Sequence, residues 1–146
     1  MDVNQKANKF STLLQDAIRN YEQKYNLSNM GIICSINGSN DIVFVMRCVT
    51  SNDQYKLEKL SKLISPLKTN AIKLLGFDID NDSEEYIRKF ILDCSLKLNI
   101  SMTKVSLLFR INPSSNNLIL AVVPSPDTNI KIYYDSLVNF IEIGGR

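Results

Sequence analysis

Two runs rich in β-branched residues, each folded back on itself across an asparagine-rich turn, stand on either side of a long stretch of helical periodicity. Gly31 to Ile36 and Ile42 to Val49 flank Asn37-Gly38-Ser39-Asn40, and Lys104 to Ile111 and Leu118 to Val123 flank Asn112-Pro113-Ser114-Ser115-Asn116. Connections of this kind join antiparallel neighbours. In the second strand Ile42, Phe44, Met46 and Cys48 share one face, and Val43, Val45 and Val49 make up most of the other. Apolar residues on both faces predict a strand covered on both sides.

The rest of the chain reads as helix. Phe10, Leu14, Ala17, Tyr21 and Tyr25 recur at spacings of three and four, which predicts a helix from about Asn4 to Tyr25. From Gln54 to Phe77 the residues Leu57, Leu60, Ile64, Leu67, Ala71 and Leu74 follow a heptad seam, interrupted by Ser65-Pro66 and ended by Gly76. The proline predicts a kink or a break into two helices. A third helix is expected from Ser83 to Leu98, with Ile87, Ile91, Cys94 and Leu98 inward and Phe90 beside them. Ile130 to Tyr134 reads as a possible further strand. Asp135 is placed to cap a short final helix with Leu137, Phe140 and Ile141 inward, stopped by Gly144-Gly145. The 146 residues suit one domain, 1–146. The expected class is α+β, in the order α-β-β-α-α-β-β-(β)-α, with helices packed on an antiparallel or mixed sheet.

Function is constrained first by an absence, since the chain contains no histidine. That removes the commonest general base and metal ligand. Cys34, Cys48 and Cys94 are too far apart in sequence to form a metal or redox motif. All three fall on apolar stripes, where a thiol packs as a small hydrophobe. With no glycine-rich phosphate loop and no marked carboxylate pair, the chain is read as non-enzymatic, with no catalytic residue, metal or cofactor. A net charge of +2 gives no general pull toward nucleic acid or anionic membrane. No apolar run is long enough to span a bilayer. The polar start from Met1 to Lys9 and the odd cysteine count predict a cytoplasmic protein. Abundant Asn, Ile and Lys suit an AT-rich genome, such as that of a phage or large virus.

Each candidate site has an ordinary structural reading beside it. Asp78, Asp80 and Asp82 match the first ligand positions of a calcium loop, but Ser83 and Lys89 stand where glycine and glutamate are needed. A helix cap at Asp82 with Glu85 as its capping-box partner is the better reading. Lys59, Lys62 and Lys73 lie opposite the heptad seam without interleaved aromatics, so they read as a solvated face. The seam residues Leu57, Leu60, Ile64 and Leu67 are the candidate partner interface, though for a helix flanked by strands packing on the domain's own sheet is the better reading. Arg47 and Arg110 each interrupt an apolar strand. They are read either as charges that protect a sheet edge or as anchors for an anionic ligand.

Over Phe10 to Gly76 the element order resembles that of roadblock-type adaptors, with the third helix as a departure. From Leu118 through Ile143 it is similar to class I secretion chaperones. Both resemblances imply α+β domains that act by holding other proteins. The leading expectation is an adaptor that works through protein–protein interaction as a homodimer. The alternative is a viral or phage protein that binds a small ligand or nucleic acid and counters a host system. A secretion-chaperone-like client binder is the third.

Overall fold

The computed structural model describes residues 2–64, 79–135, 137 and 139–143, without the side chains of 60–64. The first apolar stripe folds as α1, Val3–Tyr25, which buries Phe10, Leu14, Ala17 and Ile18. Its start is a capping box: the Asp2 carboxylate accepts from the Gln5 backbone N–H, and the Gln5 side chain accepts from that of Asp2. Its end is Asn26 in the left-handed region, φ 53°, where the N–H groups of Asn26 and Leu27 both donate to the Glu22 carbonyl.

Five strands follow: β1 (Met30–Ile36), β2 (Ile42–Cys48), β3 (Ser106–Ile111), β4 (Leu118–Val123) and β5 (Ile141–Glu142). They form one sheet in the order β2-β1-β3-β4-β5, with every pair antiparallel. This settles the sheet as antiparallel and puts β1 and β3 at its centre. Both long hairpins close by the same chemistry. At the first, the Asn37 carboxamide oxygen accepts from the N–H groups of Ser39 and Asp41, and Asn40 takes φ 65°. At the second, the Asn112 oxygen accepts from Ser114 N–H and Asn116 takes φ 64°. Asparagine suits both roles, since its side chain mimics a backbone turn and it tolerates the left-handed region.

Between the hairpins lie α2 (Ser51–Ile64) and α3 (Asn81–Leu98). Both begin earlier than periodicity suggests. The Thr50 hydroxyl accepts from Asp53 N–H, so α2 starts at a Thr-x-x-Asp cap ahead of the apolar seam. For α3 the cap is Asp80, two residues before the expected Asp82: its carboxylate accepts from both Ser83 N–H and Ser83 Oγ. Asp82 lies in the first turn instead.

The C-terminal segment departs most from expectation. Lys131–Tyr134 forms a short helix, α4, rather than a strand, and Ile141–Glu142 pairs with β4 as β5 rather than joining a final helix. Leu137 and Ile141, expected inward, are exposed, while Phe140 is partly buried. The reason is the sheet edge. Once β4 is in place its free side offers backbone groups that Ile141 and Glu142 pair with.

Each face of the sheet carries a core, but β2 is fully buried on one face only: Ile42, Phe44, Met46 and Cys48 are buried, whereas Val43, Val45 and Arg47 are only partly covered, contrary to the two-sided expectation. On one face α1 and α3 cover the main core, where the Phe10 ring sits 5.3 Å from Phe109 and 5.6 Å from Tyr86. On the other, Ile33, Leu108 and Val123 pack with Ile130, Tyr133, Tyr134 and Phe140 of the C-terminal segment. Lys6–Glu85 and Lys9–Asp82 ion pairs join the starts of α1 and α3.

Two of these caps carry a pH dependence. Burial pushes the Asp53 and Asp80 carboxyls up, but hydrogen bonds from Thr50 and Ser28 to Asp53, and from Ser83 to Asp80, outweigh it with help from Lys56 and Lys9. Both carboxyls end below their ordinary value. Such a group adds stability that is complete above about pH 4 and is lost as the pH falls through its lowered value. Asp53→Asn should cost about 1 kcal/mol at neutral pH. The double variant with Asp80→Asn should show a flatter fall of the melting temperature below about pH 4. Parallel pH profiles for variant and parent would refute the assignment.

Candidate functional site

The two strand arginines have different surroundings. Arg47 lies on β2, at the sheet edge, and is half-buried. Its Nε donates to the Pro126 carbonyl at 3.2 Å and its Nη2 pairs with Asp127 Oδ1 at 2.8 Å. It lines an open cavity of about 460 Å³ with Gln54, Tyr55, Glu58 and Thr128, but its charge is already matched within the chain. It ties the edge strand to the loop after β4.

Arg110 is on β3, flanked by β1 and β4, so the sheet-edge reading does not hold for it. Only 5% of the residue is exposed. The guanidinium stacks 3.7 Å from the Tyr134 ring centre, with the Phe140 ring at 5.4 Å. Nη1 donates to the Tyr133 carbonyl at 2.9 Å, and the buried Nε has no partner among the described residues. It makes no ion pair among the described residues. Burial lowers its affinity for the proton, with a partial offset from Tyr134. Tyr134 is held in turn by its hydroxyl, which donates to the Met30 carbonyl at 2.5 Å.

Arg110 faces a cavity of about 230 Å³ where β1 begins and β3 ends, walled by Ile18, Ile111 and Pro113. Two more charged groups line it. Arg19 donates to the Asn116 carbonyl at 3.4 Å, and the Glu22 carboxylate accepts from Met30 N–H at 3.3 Å. Burial pushes the Glu22 carboxyl up, against the pull of the Met30 and Asn29 N–H groups and of Arg19. Glu22, Arg19 and Tyr134 are absent from the sequence-level set of candidates. In sequence Arg19 and Glu22 look like ordinary helix residues and Tyr134 like the end of a strand, and nothing local marks them as neighbours of β3.

The other candidates divide between the core, the surface and the residues not described. Leu57 of the heptad seam is buried in the domain core. The side chains of Leu60 and Ile64, the whole of Leu67, Lys73 and Asp78, and the Ser65-Pro66 step lie outside the described residues. Lys59 does have an aromatic companion, contrary to expectation: its ammonium sits 4.7 Å from the Tyr55 ring centre, one turn earlier. Asp80 and Asp82 share Lys9, and no cluster of metal-ligating groups occurs among the described residues. All three cysteines are free. Burial pushes the Cys48 thiol up to about 12 and raises those of Cys34 and Cys94 as well, the opposite of activation.

One surface feature was not anticipated. Leu92, Leu96 and Leu98 near the C-terminal end of α3, and Ile100 just past it, are exposed, Leu96 by 71% and Leu98 contrary to the expectation that it points inward. Leu92 and Leu96 are one turn apart, on the side away from buried Ile87 and Ile91. Among the described residues no helix is long and apolar enough to cross a membrane.

Residues 44–118, just over half of the chain, match the family model of the SLAP domain. The matched span runs from β2 to the first residue of β4 and includes both arginines. No curated protein and no solved structure matches the chain.

Proposed function

The chain belongs to the SLAP domain family, and we propose that it is a non-enzymatic binding protein that acts through protein–protein contact, as a homodimer, in the cytoplasm. The observation that carries this reading is the exposed aliphatic group at the end of α3. Leu92 and Leu96 stand one turn apart on one exposed face, with Leu98 and Ile100 exposed close by in sequence, and exposed aliphatic side chains that share a face mark contact sites. Two further features support it. The low net charge favours a protein partner over nucleic acid. Three free cysteines suit a reducing compartment.

Sedimentation tests the reading directly. The parent chain should sediment at twice its 16.6 kDa mass. Leu96→Glu should return it to the monomer with a stability change within about 0.5 kcal/mol, because the side chain is exposed in the protomer. The same variant should lose capture of any protein that the parent retains. A parent that stays monomeric at every concentration, and whose captured proteins are all kept by Leu96→Glu, would sink the reading.

A further inference from the structure

We propose that the cavity at the end of β3 is a receptor for a single carboxylate group, held by the Arg110 guanidinium. The site is separate from the α3 surface and does not depend on it. Arginine offers five N–H donors in a planar fork that matches a carboxylate edge. Among the described residues Arg110 makes one hydrogen bond, to the Tyr133 carbonyl, and its buried Nε has no partner. A buried cation is ordinarily paired, yet this one has no counter-ion among the described residues. Stacking on Tyr134 presets the plane of the fork.

The charge of the cavity selects the ligand. Arg110 and Arg19 contribute two positive charges and Glu22 one negative, which leaves room for one anionic charge rather than two. A phosphate dianion would meet the Glu22 carboxylate, whereas a monocarboxylate would balance the set. The Ile18, Ile111 and Pro113 walls suit the short carbon chain that such a group carries. The carboxylate belongs to a small free acid or to the end of a peptide.

Titration of the full chain with butyrate, inorganic phosphate, and one pentapeptide in free-acid and amidated forms tests this, read by calorimetry and by the Arg110 Nε–H resonance. Butyrate or the free-acid peptide should move that resonance, and phosphate should bind at least tenfold more weakly. Tighter binding of butyrate assigns the site to a free acid; tighter binding of the peptide, lost on amidation, assigns it to a chain end. Arg110→Lys should weaken the carboxylate at least tenfold. Glu22→Gln should tighten it several-fold and narrow the preference over phosphate, a change of opposite sign that a structural role for Arg110 would not produce. No carboxylate binding, phosphate binding as well as the acid, or unchanged affinities in both variants would overturn the proposal.

Discussion

Replacing Phe10 with alanine should destabilise the protein by about 3–5 kcal/mol, a fall in melting temperature of about 10 °C or more for a chain of this size. Phe10 is fully buried where α1, α3 and β3 meet, and its ring touches Tyr86 of α3 and Phe109 of β3. The loss has two parts. About 2–3 kcal/mol is the transfer energy of the aromatic side chain, and the remainder is the cavity left when the rings on either side cannot collapse onto each other. Phe10→Leu keeps most of the volume and should cost less than half as much. Thermal unfolding followed by far-ultraviolet circular dichroism measures both. A loss below about 1 kcal/mol for the alanine variant would mean that α1 does not anchor the helical layer through this residue.

Gly31→Val should cost about 3 kcal/mol, although valine is the better strand residue. The glycine is needed for space rather than for an unusual backbone. A Cβ at position 31 would lie 2.7 Å from Leu108 Cδ1 and 3.3 Å from both the Phe109 carbonyl oxygen and the Tyr134 hydroxyl. Leu108 is itself fully buried, so its side chain can yield only by displacing the residues packed around it. Valine adds two more methyl groups to that contact, so either β1 and β3 part or Tyr134 leaves its bond to the Met30 carbonyl. Gly31→Ala should show a smaller loss in the same direction. At an open strand position both substitutions would instead stabilise, by about 0.5–1 kcal/mol for alanine. The sign of the change in urea unfolding therefore decides the matter.

Much of the fold was legible before the structure. The stripe from Phe10 to Tyr25, the asparagine turns and the strand Leu118–Val123 are local signals, and they match the observed elements within a residue or two. Helix starts were less legible, since apolar spacing reports where burial begins, whereas helices begin at their caps. Thr50-x-x-Asp53 was a readable cap signal. Asp80 over Asp82 was not, because any of three alternating aspartates could cap, and the choice follows from Ser83, whose N–H and hydroxyl both meet Asp80. The site was half legible. Arg47 and Arg110 stand out as charges in apolar strands, but equal prominence in the sequence concealed opposite situations.

Periodicity, turn chemistry and composition were enough to establish an α+β chain with two hairpins and three long helices, and to make histidine-dependent chemistry impossible, since each depends on residues near one another or on simple presence. Strand order came from long-range pairing. The return from α3 places β3 beside β1, and that puts Arg110 inside the sheet while Arg47 stays at its edge. The same packing brings Glu22, Arg19 and Tyr134 to one cavity and exchanges strand for helix after Val123. A residue's neighbours across a sheet lie dozens of positions away, and burial, which sets the worth of a charge, is a property of those neighbours.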